Sequence, residues 1–159
     1  MKPNKVEIIA ALRAGLAEEL ASLDRVAAMS REDAVSEESK SENEYDTRST
    51  EAAYLARGLG RRIKELKKVV AWFEVFDARK PLESPVVQTG ALVQLDGSSE
   101  ELLFLAPVGG GRYKAGPWTV QIVSPSSPLG EALCELGVGD EAEFDTPRGV
   151  VTREILSVA

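Results

Sequence analysis

Residues Glu37-Glu38-Ser39-Lys40-Ser41-Glu42-Asn43-Glu44-Tyr45-Asp46 decide how the first half of the chain folds, because a matching apolar pattern runs away from them in both directions. Forward, the core-type positions are Tyr45, Ser49, Ala52, Ala56, Leu59, Ile63, Leu66, Val70 and Phe73. Their steps alternate four and three, the 3.5-residue period of a coiled-coil seam rather than the wider stripe of a helix on a globular core. Backward, the same register gives Ala34, Ser30, Ala27, Leu23, Leu20 and Leu16, then Arg13 as the one exception, then Ile9 and Val6. Folding back about Ser41 and Glu42 brings Ala34 to Ser49, Ala27 to Ala56 and Leu20 to Ile63. Seam residues are small near the turn and large far from it. The pattern predicts an antiparallel helical hairpin that narrows toward an acidic tip, each helix of about 35 residues reaching roughly 50 Å.

Charge follows the same axis. Residues 32–51 hold eight acids against Lys40 and Arg48, a net charge of −6, whereas residues 57–68 hold six bases against Glu65, a net charge of +5. The whole chain of 159 residues carries −7, which argues against general attraction to nucleic-acid phosphates or anionic lipid. With no histidine and one cysteine, Cys134, the chain lacks the commonest general base, any His-paired nucleophile, an internal disulfide and a cysteine-rich zinc site. No apolar run approaches membrane-spanning length, and Met1-Lys2-Pro3-Asn4-Lys5 has no signal-peptide character, so a cytoplasmic protein is expected.

Asn4 or Pro3 should precede a first helix over 5–38. The second should open with Ser41 as N-cap and Glu44 in capping-box spacing and end near Asp77. Two prolines, Pro81 and Pro85, bracket a polar stretch, so the expected organisation is a coiled-coil arm over 1–77, a linker over 78–83 and a second domain over 84–159. There the pattern switches to short alternating runs at 91–95, 101–106, 118–123, 141–145 and 150–158. The Gly109-Gly110-Gly111 stretch reads as a hairpin loop between the second and third runs. One short helix intervenes, with Ser127 as N-cap, Pro128 at its first position and Gly137 as terminator. The expected fold is α+β, a helical hairpin followed by a small antiparallel sheet with one helix packed on it.

The text around that short helix, Ser124-Pro125-Ser126-Ser127-Pro128-Leu129-Gly130-Glu131-Ala132-Leu133 with Val138-Gly139-Asp140-Glu141, resembles the C-terminal domain of the Gre-type transcript cleavage factors, which bind RNA polymerase. Asp145-Thr146-Pro147-Arg148-Gly149 with Glu154-Ile155-Leu156 is similar to the same family's last hairpin. Ser41-Glu42-Asn43-Glu44-Tyr45 and Arg62-Ile63-Lys64-Glu65-Leu66 resemble its tip and second helix. The resemblance implies an FKBP-like second domain and a coiled coil placed in the polymerase secondary channel. It also implies tip acids that help hold a second Mg²⁺ while the polymerase itself cuts the RNA. Carried onto this chain, it implies Glu38, Glu42 and Glu44 as assisting residues, with Glu38 and Glu42 sharing the metal and no catalytic group of the chain's own. It further implies Ser127, Pro128, Leu129, Gly130 and Asp140 as the partner-binding surface of a monomer that meets RNA and DNA only within the elongation complex. The family's tip aspartate, three residues before the glutamate that precedes asparagine, is Ser39 here, with Glu38 beside it. Two other effects stay open: a channel blocker that competes with cleavage factors, and a prolyl isomerase whose pocket Phe104, Trp118 and Phe144 would line.

Overall fold

The computed structural model describes residues 1–38 and 47–159, the side chains of 34–38, 47–50 and 52 excepted. The elements, in chain order, are α1 (Lys5–Glu38), α2 (Thr47–Val75), β1 (Leu92–Leu95), β2 (Glu101–Leu105), β3 (Arg112–Ala115), β4 (Trp118–Val123), α3 (Pro128–Leu133), β5 (Glu141–Thr146) and β6 (Gly149–Val158). The fold is α+β. The fold-back point at Ser41 and Glu42 and the Ser41/Glu44 capping box lie outside the described residues. The chain divides into two compact units, Met1–Gly15 with Trp72–Ala159, and Leu16–Ala71. The division falls within both long helices, and residues 78–83 lie inside the larger unit.

In the larger unit, Asn4 caps α1 through Oδ1, which accepts from the backbone N–H groups of Val6 and Glu7 at 3.1 and 3.4 Å. The sheet order is β3-β4-β2-β1-β6-β5. Every pairing is antiparallel except β2 with β4, which run parallel. The glycine stretch is therefore not a simple hairpin between those two strands. Gly110 and Gly111 take left-handed φ values of 132° and 87°, and the chain turns into β3, an outer strand that the sequence reading passed over. β3 then returns through Gly116 to pair antiparallel with β4. Its four residues alternate two cations with Tyr113 and Ala115, too short a run to announce a strand.

Both faces of this sheet are covered, as its near-continuous apolar strands require. On one face Val93, Leu105 and Ile155 pack with Leu133 of α3 and with Ala142 and Val87, and Leu129, Cys134 and Phe144 lie around that core. On the other, Phe104 is fully buried and its ring meets Trp72, Phe73 and Phe76 at centroid distances of 5.4 to 6.0 Å. Ile8, Ile9 and Leu12 are buried in the same unit. Here α1 abandons the narrow seam: Ile8 and Leu12 join Ile9, while Val6, expected on the seam, is exposed. Arg13, the exception in the pattern, also finds its reason. Its Nε donates to the Phe73 carbonyl at 2.7 Å and its Nη2 donates to the Phe76 carbonyl. A helix end leaves such carbonyls without intrahelical partners, and a cation satisfies both their hydrogen-bonding and their dipole.

In the smaller unit, Leu16, Ala27, Ile63 and Leu66 are buried, and Leu20, Leu23, Ser30, Ala56 and Leu59 half-buried, as the predicted seam requires, but Val69 rather than the expected Val70 is the buried residue of the next turn. Arg62, a member of the basic run, donates from Nη2 to Oε1 of Glu19 at 3.0 Å and so ties that run to the first helix. Within the larger unit, Lys5 lies over the Phe76 ring and Arg13 donates to the Phe73 carbonyl, so the start of α1 runs antiparallel to the chain at the end of α2.

Candidate functional site

Two sets of residues were expected to act. The first is the acidic tip. Glu38 is the last residue of α1, and its side chain, like all of Glu42 and Glu44, lies outside the described residues. What the structure supplies is the pair of helices that flank this stretch in the sequence, described over Lys5–Glu38 and Thr47–Val75, with Arg62 of the second donating to Glu19 of the first.

The second set surrounds α3. Ser127 takes an extended backbone as N-cap, and its Oγ accepts from the Gly130 N–H at 3.1 Å while donating to the Ser124 carbonyl at 2.7 Å. Proline follows at a position whose N–H would have no helical partner, which leaves Pro128 exposed at the start of the helix. Gly130 is buried, and a Cβ there would stand 1.9 Å from the Ser124 carbonyl oxygen, so glycine is a requirement of the fold at this site. The helix ends at Leu133, earlier than the Gly137 expected as terminator. Glu135 takes the left-handed φ of 69° instead, and its N–H donates to the Val87 carbonyl at 2.9 Å. Gly137 serves a later turn, in which its N–H donates to Oδ2 of Asp140 at 2.7 Å.

Ser127, Pro128 and Leu129 line one wall of an open groove of about 1010 Å³ on the sheet unit. Leu95, Leu103, Phe144 and Val151 add apolar surface, and Arg112, Arg148 and Arg153 stand among Asp96, Glu101 and Asp145. The structure thus brings three of the five expected docking residues together. Gly130 and Asp140 do not line the groove; their roles are packing and turn closure. The arginines were missed as groove residues. A signal existed in β6, where Val151, Arg153 and Ile155 share one face, so a cation sits two residues from a core position. Phe104, by contrast, faces the aromatic cluster and cannot line this groove; Trp118 is buried too, and Phe144 alone of the three reaches it. Burial pushes the Cys134 thiol up, with the Glu135 carboxylate adding to the shift, so it is not a poised nucleophile. Among the described residues no cluster of metal-ligating side chains occurs, and no helix is long and apolar enough to cross a membrane.

An apolar groove with a charged rim has the make-up of a protein-binding surface. The class defined is a binding factor built from a helical pair and an α+β unit. Residues 111–159 match the model of the transcription elongation factor GreA/GreB C-terminal domain. Transcription elongation factor GreA of Rickettsia prowazekii is 35% identical over 121 residues, covering 74% of this chain and 69% of that protein. GreA of Rhodococcus erythropolis is 34% identical over 92 residues, covering 55% and 53%. The solved structure of the transcription factor Gfh1 covers 93% of each chain at 18% identity, with a TM-score of 0.41. The chain belongs to the GreA/GreB family of transcription elongation factors.

Proposed function

We propose that this protein binds RNA polymerase during elongation and carries the acids of residues 37–46 into the secondary channel, where they promote cleavage of backtracked RNA by the polymerase itself. The observation that carries this reading is the contact between α1 and α2, Arg62 donating to Glu19, because these two helices flank the acid-rich stretch in the sequence. Glu38 and Glu42 would hold a shared Mg²⁺, with Glu44 beside them; carboxylate oxygen is the donor this ion prefers. When bound, the ion supplies charge that polarises a phosphoryl oxygen and acidifies water. The chain's own part is to hold and aim carboxylates, so it acts as a cofactor of the polymerase and has no catalytic centre of its own. The 84–159 region docks, with exposed Pro128 and half-buried Leu129 as contacts on the groove wall, and the factor works as a monomer.

The test is equilibrium binding to core RNA polymerase with parallel analysis of RNA in stalled complexes. Wild type and the Glu38→Ala/Glu42→Ala variant should bind equally, while only wild type shortens the transcript. Loss of binding in the variant, or identical RNA products, contradicts the assignment. Ser39, standing where the family's pattern has aspartate, favours one second reading: a blocker that occupies the channel without stimulating cleavage. Wild-type binding with no shortened RNA would select it.

A further inference from the structure

The two flanks of the α1/α2 pair differ in chemistry, and one of them is unoccupied. Glu19 pairs with Arg62 on one flank. In a coiled coil the same flank recurs every seven residues, so Val26, seven beyond Glu19, comes level with Leu55, seven before Arg62. Met29 and Gly58, one turn further along their helices, lie on that flank as well. Val26, Met29 and Leu55 are 45%, 65% and 68% exposed, and Gly58 offers no side chain, with nothing within 4 Å of where a Cβ would be. Together they form a continuous apolar strip on the order of a few hundred Å², the size at which exposed patches are functional.

The charges around the strip say what it accepts. On its flank the next heptad positions toward the tip are Asp33 and Arg48, level in the register as Glu19 and Arg62 are, and the remaining charges beside the strip, Glu51 and Glu65, are acids. The opposite flank reads the other way, with Arg31, Arg57, Lys64 and Lys67 against Asp24. Aliphatic side chains beside an excess of carboxylates disfavour a phosphate backbone and fit a protein segment with apolar anchors and basic neighbours.

We infer that the Val26/Met29/Leu55 strip is a side-specific docking surface for an apolar, basic-flanked segment of RNA polymerase, so that the helical pair is held in one rotational setting. This rests on the proposed polymerase binding. The test is affinity of the full chain for core RNA polymerase, comparing wild type, Met29→Gln/Leu55→Gln, and Ala28→Gln on the opposite flank. Glutamine keeps helix propensity and charge, and both replaced side chains are mostly exposed, so the thermal midpoint should hold. The double variant should bind at least tenfold more weakly and Ala28→Gln as wild type. Wild-type binding with an unaltered double variant overturns the strip alone; no wild-type binding overturns the polymerase reading itself. Sedimentation showing a wild-type dimer that the double variant loses, with polymerase affinity intact, reassigns the strip to a contact between copies and also overturns it. So does a loss of affinity for a single-stranded RNA oligonucleotide without a loss for polymerase.

Discussion

Arg13 occupies a seam position yet is only half-buried, because its guanidinium is spent on the last carbonyls of α2. Arg13→Met keeps the aliphatic stem and removes both donors, and should cost about 2 kcal/mol, the worth of hydrogen bonds to a charged group, read as a lower thermal midpoint. An unchanged midpoint would mean that water satisfies those carbonyls equally well. Gly130→Ala is harsher, since the Ser124 carbonyl oxygen would lie 1.9 Å from the new methyl; a loss of about 3 kcal/mol or more is expected. The raised Cys134 thiol gives a pH prediction. A folded-state pKa above the ordinary thiol value keeps the proton on at neutral pH. Labelling by a disulfide reagent should therefore lag behind a free cysteine there and accelerate only as pH rises past the usual thiol range. At this scale the sequence was only partly legible. Ser127 and Pro128 announced their capping roles by residue type, whereas Arg13 showed only as a break in a pattern, because its partners are backbone atoms sixty residues away in the chain.

Among the elements, the long helices were readable because a 3.5-residue repeat sustained over many turns has few alternative explanations. The start of α1 at Lys5 agrees with the expectation, and α2 stops at Val75, two residues short of Asp77. The sheet was legible as strands but not as a topology. β3 carries four residues and two cations, and its insertion is what makes β2 and β4 parallel, a long-range fact that no local pattern encodes. Gly58 and Gly60 sit within α2 with open space where a Cβ would go. Alanine at either should therefore raise stability by about 1 kcal/mol, the helix-propensity difference, measured by chemical denaturation. Ala27, buried on the seam, leads to a different expectation. Ala27→Leu should separate the helices locally and weaken polymerase binding more than it lowers the folding midpoint; unchanged binding would argue against entry into a narrow channel.

For the molecule as a whole, composition excluded much and assigned little. The absence of histidine and the single cysteine removed whole classes of catalysis, but they could not say which partner a binding factor has. That came from the α3 region, and the family match over residues 111–159 falls on the same part of the chain. The groove beside Pro128 was invisible because its walls come from all six strands, α3 and the loops around them, brought together only by the fold. The assignment as an elongation factor leaves one geometric claim to be tested at this scale: that residues 37–46 reach the polymerase active centre. A tethered iron chelate on Ser41→Cys, in a Cys134→Ser background, measures it directly in stalled elongation complexes. The account predicts radical cleavage of the backtracked RNA close to the active-centre metal; cleavage confined to the polymerase exterior, or none, would contradict it.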